Sequence, residues 1–243
     1  MTRPLVSTVS AHVRERIVVN LAVSPRAMAE EIPCDWLLPQ IVDGRAIVTF
    51  CVLWLQRVTP RGWPKAIMPS QVSCAIRFGV IDEATGEPGV YVVDRCTDSA
   101  IGSLATRFGC PGFHPLVRIT EATDDAKRLI TAERSGSPYM AFELRAPNEE
   151  CGLFGSKEVF QQFLSEGVRS FTPAVRPDTI NVVDLVKTET EFVPHAFSLL
   201  EDSGLPSRIR EDYVVDSAFR TLNAEYEWCF VEQQPIGAKG LVA

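Results

Sequence analysis

No Cys-x-x-Cys pair occurs in the 243 residues, and the seven cysteines are odd in number and scattered. That spacing excludes a disulfide framework and a cysteine-ligated zinc site. Cys34, Cys51, Cys74, Cys96, Cys110, Cys151 and Cys229 mostly have apolar or β-prone neighbours, which is the setting of buried, inert thiols. Histidine is equally scarce. His12, His114 and His195 are the full set, and none has a ligand partner at metal spacing, so no metal is expected. There is no Lys/Arg-rich run, and the net charge of -7 repels phosphate backbones and anionic membranes. The pairs Arg14 with Arg16 and Lys127 with Arg128 read as solvated faces, so neither nucleic acid nor membrane is an expected partner.

Long apolar runs are missing too. Ala46 to Leu55 is flanked by Arg45 and Arg57 and falls short of the ~20 residues a helix needs to span a bilayer. Met1 to Arg16 contains no apolar core of a secretory signal, and a reducing cytoplasm is the expected location. Walker-type, Gly-x-Gly-x-x-Gly and Gly-x-Ser-x-Gly patterns are all absent, and no cofactor is expected.

What remains is an ordinary globular composition, 46% hydrophobic and 23% charged, sufficient for one domain over residues 1–243 with a core and a pocket. Arg16 to Val23 reads as a strand, followed by Ser24-Pro25 as N-cap and first turn of a short helix ended by Pro33. Arg45 to Arg57 is apolar at almost every position, as in a strand covered on both faces. Val72 to Ile81 and Val90 to Asp94 form a hairpin around Asp82 to Gly89. Thr97 or Asp98 caps a helix running to about Phe108, where Gly109 stops it. Strands follow at Leu116 to Glu121, Lys127 to Glu133 and Tyr139 to Arg145. Ser156 to Glu166 is the clearest helix, with Val159, Phe160, Phe163 and Leu164 on one side. Strands near Ile180 to Lys187 and Glu189 to Phe197 precede a mixed C-terminal segment and a tail, loose from Gln233. Many short strands with about three helices indicate an α+β domain.

Three local patterns invite a chemical reading. Cys110 and His114 flank Pro111-Gly-Phe113, which suits either a Cys/His nucleophile pair or a buried thiol beside a turn histidine. The prolines at 111 and 115 rule out a shared helix face. Glu225 and Glu227 would share a strand face that suits acid–base work or, more commonly, solvent. Arg77 sits in an otherwise apolar strand, where a cation needs either a carboxylate partner or a ligand.

The stretch Gly89 to Asp98 (Gly-Val-Tyr-Val-Val-Asp-Arg-Cys-Thr-Asp), then Ser99 to Arg107 and Phe108-Gly-Cys-Pro111, resembles the central segment of acetoacetate decarboxylase relatives. Arg14 to Leu21 and Val23-Ser-Pro to Ile32-Pro33 are similar to the N-terminal strand and helix of that family, and the likeness spans roughly residues 12–200. It implies strongly curved antiparallel sheets, cone- or barrel-like, around a cavity. In the family a lysine just after the turn proline forms an imine with a β-keto acid, and a neighbouring lysine lowers its pKa. Here those positions hold Gly112 and Phe113, and the family's substrate glutamate falls at about Ser73. The arginine that holds a substrate carboxylate corresponds to Arg14, which is equally readable as a strand-edge cation in solvent.

The expected ligand-lining set is therefore Arg14, Arg77, Arg95, Phe113 and His114, with Arg14 and His114 facing one cavity and His114 titrating near neutrality. The leading expectation is a small-molecule-binding protein or enzyme acting on an organic acid or ketone without lysine Schiff-base chemistry. The alternative is a non-catalytic accessory or assembly protein that kept the fold. Either is compatible with a homo-oligomer.

Overall fold

The computed structural model describes residues 6–63, 69–104, 113–124, 127–176, 178–188 and 190–237. The proline-rich loop with Lys65, the expected helix end at Phe108 and Gly109, and Cys110 with Gly112 lie outside them.

Seven strands form a ring. Its members are β1 (Thr8–Val23), β4 (Arg45–Pro60), β5 (Gln71–Asp82), β6 (Pro88–Thr97), β10 (Arg169–Pro173), β11 (Thr179–Lys187) and β13 (Val214–Pro235). They pair in that order, and β13 pairs back onto β1 from Thr8–Cys229 to Ala22–Val214, so the ring closes and loses its edges. Only the β6–β10 contact is parallel. The short β2 (Leu37–Pro39) and β3 (Ile41–Val42) pair onto β5 and β4. Outside the ring, β7 (Arg118–Thr123), β8 (Arg128–Arg134), β9 (Ser137–Pro147) and β12 (Val193–Glu201) form an antiparallel layer. It joins the ring where β12 meets β13.

β4 shows why the wall is apolar on both sides. Ala46, Val48, Phe50, Val52 and Trp54 belong to a core shared with the outer layer, including Ile130, Met140 and Phe142. Ile47, Cys51, Leu53 and Leu55 face the opposite way, toward the barrel interior. Part of that interior is filled from α3 (Lys157–Glu166), capped by Ser156. Phe160 of α3 stacks on Phe219 of β13, their ring centroids 3.6 Å apart. Val159, expected on the same side as Phe160, is exposed.

The remaining helices are short. In α1 (Pro25–Glu31) the Ser24 hydroxyl accepts from the Ala27 amide as the N-cap reading requires. The described part of α2 (Ala100–Leu104) is capped by Ser99, whose side chain accepts from Gly102, rather than by Thr97 or Asp98. Thr97 serves instead to accept from the Ser99 amide. α4 is Ser207–Asp212. The C-terminal segment read as mixed is the 22-residue β13, and Gln233 lies within it rather than in a loose tail. The strand expected from Glu189 to Phe197 is β12, displaced toward the C-terminus.

Candidate functional site

β1 delivers one arginine into the barrel, and it is not Arg14. In its pairing with β4, β1 advances two residues, Val13 to Glu15, against one on the partner strand. Such a bulge reverses the alternation of side chains. Ala11 and Val13 face inward before it; Arg16 and Val18 do so after it. Arg14, the extra residue, points outward with its side chain 51% exposed. This corrects the expectation that Arg14 shares a cavity with His114: the inward cation is Arg16, two residues on. Its Nε donates to Cys51 Sγ at 3.3 Å and its Nη1 to the Tyr226 hydroxyl at 3.0 Å.

β5 and β6 supply two more. Arg77 lies opposite Thr49 of β4, and Arg95 lies opposite Ala75 of β5. Between Ile76 and Arg77 the β6 partner jumps from Asp94 to Val92. That second irregularity lets Arg95 and Val92 both face inward, as the lining of the interior shows. Arg77 and Arg95 therefore sit side by side on the inner wall.

The space they line is a cavity of about 130 Å³, walled further by Leu53, Leu55, Val58 and Val183 and reached by His114 and Ser73. A smaller chamber of about 40 Å³ lies against α3, with Arg16, Phe163 and Lys187 in its wall. Arg77, Arg95 and Trp228 belong to both, so the two guanidiniums stand where the chambers meet. At the main chamber's edge α2 approaches β5 so closely that a Cβ on Gly102 would lie 2.5 Å from Gln71 Oε1. Phe113 is 68% exposed and outside both linings, which corrects its expected place as an apolar cavity wall.

Charge in this interior is one-sided. Among the described residues neither chamber has an Asp or Glu in its wall, and Arg77 and Arg95 have no ion-pair partner. The structural alternative for Arg77, a nearby carboxylate, is thus not met among the described residues. Its Nε has no hydrogen-bond partner at all. Burial, then the neighbouring charge of Arg16, lowers Arg77 below the usual guanidinium range. Burial and then the charge of Arg77 bring Arg95 down to about 10. Both remain cations at neutral pH. Burial alone would raise the Cys51 thiol, but Arg16, Arg77 and Arg95 together hold it below its ordinary value.

His114 behaves differently from the expectation of a group titrating near neutrality. Its Nε2 lies 3.5 Å from Arg95 Nη1. A guanidinium only donates, so Nε2 accepts and the ring proton belongs on Nδ1. Burial, followed by the charge of Arg95, lowers its pKa to about 3. The imidazole is therefore neutral at physiological pH, with a buried Nδ1 that has no partner.

Glu225 lies on the outer face, bonded to His12 and Arg57, and Glu227 is exposed beside it, as solvent-facing strand residues. Among the described residues no three His, Cys, Asp or Glu side chains cluster as a metal ion requires. Lys187 is the one described lysine in either wall, and its Nζ donates to the Leu164 carbonyl at 2.6 Å. Sequence reasoning missed Arg16 and Cys51. Arg16 was masked by the bulge, whereas Cys51 carried no signal beyond its inward position in an apolar strand.

Comparison with known proteins finds likeness in three dimensions only. No family model matches the chain, and no curated protein does. Among solved structures, acetoacetate decarboxylase from Legionella pneumophila superposes with a TM-score of 0.67 at 11% identity, over 96% of this chain and 90% of that one. An acetoacetate decarboxylase-like enzyme from Sphingomonas wittichii gives 0.63 at 13% identity, over 94% of each chain. The enduracididine biosynthesis enzyme MppR, complexed with pyruvate, gives 0.60 at 14% identity, over 98% of this chain and 92% of that one. At such identities it is the fold that is shared. The closed ring, its flanking layer and these superpositions show that the chain has an acetoacetate decarboxylase-like fold.

Proposed function

We propose that this protein, acting as one domain, takes up a small organic acid or ketone inside the barrel, and does so without lysine imine chemistry. The observation that carries the reading is the pair Arg77 and Arg95, interior cations facing a cavity of about 130 Å³ with no carboxylate beside them among the described residues. An unpaired interior charge costs several kcal/mol, so a fold that keeps two of them next to empty space is built for an anion. The volume supports a small ligand: a cavity of about 150 Å³ holds a benzene-sized molecule. The pyruvate seen in MppR is a ligand of this class in a related fold. A barrel packed solid with side chains would favour an accessory or assembly role, and the open chamber speaks against that.

The resemblance places Gly112 and Phe113 at the positions of the lysine pair, and neither has an amine, which argues against the imine route. What the site offers instead is stabilisation of negative charge. The two guanidiniums are donors suited to a carboxylate or to an enolate oxygen developing on a bound ketone. The six described cysteines form no disulfide with one another, in keeping with the reducing cytoplasm this reading assigns to the protein. Borohydride reduction in the presence of acetoacetate or pyruvate, followed by peptide mass spectrometry, tests the chemistry. No adduct is expected on any lysine. An adduct on Lys187 or Lys65 would overturn this account by revealing a relocated nucleophile.

A further inference from the structure

The charges inside the barrel can be counted. Four described cations face the interior: the guanidiniums of Arg16, Arg77 and Arg95, and Lys187 in the smaller chamber, whose Nζ donates to the Leu164 carbonyl. Arg16 is already engaged, by Cys51 Sγ and the Tyr226 hydroxyl. Arg77 and Arg95, which have no ion-pair partner among the described residues, lie on adjacent strands and at the junction of both chambers. A monocarboxylate would neutralise one and leave the other buried and unpaired, at a cost comparable to the attraction gained.

Beyond the arginines the main chamber changes character. Leu53, Leu55, Val58 and Val183 offer only hydrocarbon. A ligand with its charge at Arg77 and Arg95 must therefore place a short apolar body against them, within about 130 Å³. The Nε of Arg77 and the Nδ1 of His114 are buried without a hydrogen-bond partner among the described residues.

Resting on the organic-acid reading above, we infer that the ligand is a small amphipathic dianion: a doubly charged head, phosphoryl or dicarboxylate, held between Arg77 and Arg95, with a compact apolar body against Leu53, Leu55, Val58 and Val183. A tetrahedral or paired-carboxylate head has enough acceptor oxygens to engage both guanidinium forks at once.

Isosteric probes test the charge directly. Phenylphosphonate and benzenesulfonate have the same ring and the same tetrahedral head, but at about pH 8.5 the first carries two charges and the second one. Phthalate and benzoate make the corresponding carboxylate pair. Calorimetric titration of the full chain is expected to show the dianion of each usable pair binding roughly tenfold or more tightly than its monoanion. The phosphonate and phthalate arms distinguish the two head chemistries. In Arg77→Met and Arg95→Met the preference should shrink to about twofold, with circular dichroism reporting the fold. Equal affinity for mono- and dianion in the wild-type protein would overturn the dianion inference and leave the organic-acid reading standing. Absence of binding by all four probes would overturn both. Because the wild-type comparison decides alone, a variant that fails to fold does not shield the inference.

Discussion

Replacing Arg77 by methionine should make the ligand-free protein more stable. The side chain lies in the barrel wall between Ile76 and Phe78, which point the other way into the outer core, and its Nε lacks any partner. Methionine has a similar reach, no charge and enough flexibility to settle against Leu53 and Trp228 on the same cavity wall. Exchanging buried ionic groups for apolar ones of similar volume is often worth 1–4 kcal/mol. Here the side chain is only half-buried and keeps some attraction to the Cys51 sulfur, so the lower part of that range applies, about 1–2 kcal/mol. For a chain of this size each kcal/mol moves the midpoint by roughly 2–4 °C, which gives a Tm higher by about 2–8 °C in a ligand-free scanning calorimetry experiment. Gained stability with lost binding is the signature of a residue kept for a ligand. An unchanged or lower Tm would refute the reasoning, because it would mean that Arg77 is held by a structural partner.

Two further expectations concern groups beside and behind the cavity. His114, with a folded pKa near 3 against an ordinary 6.5, favours the folded state only when neutral. Its contribution is fully present above about pH 6.5 and is lost as pH falls toward 3, at up to about 1.4 kcal/mol per pH unit. The His114→Gln variant should lose that slope in denaturant titrations between these limits, and an identical slope in both proteins would contradict the assigned burial. Glu15, in the wall behind Arg14, is bonded to Arg128 through both oxygens and to Arg220. Burial raises its carboxyl, but the two arginines outweigh it and hold the pKa below the ordinary value, so its contribution persists above about pH 4.5 and fades on acidification. Glu15→Gln leaves Arg220 without its carboxylate and Arg128 with Glu121 alone, and should cost about 3 kcal/mol in urea unfolding, the low end for breaking a buried pair, against less than 1 if the cluster were solvent-like.

Much of the wall was legible from residue chemistry alone. The uninterrupted apolar run of β4 announced a strand covered on both faces, and Arg77 stood out as a cation in an apolar strand. The absence of an amine at positions 112 and 113 is likewise a matter of sequence. What could not be read was parity. A bulge reverses every side chain beyond it without changing composition, so Arg14 and Arg16 exchange roles on a feature that exists only in the β1–β4 pairing. β13 was missed for a related reason. Asn223, with φ of 56°, interrupts its alternation, and the strand is held by pairing to β1 and β11 rather than by its own pattern. The depressed pKa of His114 depends on Arg95, nineteen residues away, which spacing cannot reveal.

The central claim is that an anion belongs between Arg77 and Arg95. Crystals soaked in bromide, measured at the bromine absorption edge, test it without knowledge of the natural ligand. The account predicts an anomalous peak within hydrogen-bonding distance of both guanidiniums in the wild-type protein, absent in Arg77→Met. A carboxylate side chain of the protein itself seated between the two arginines, with no bromide peak, would contradict it.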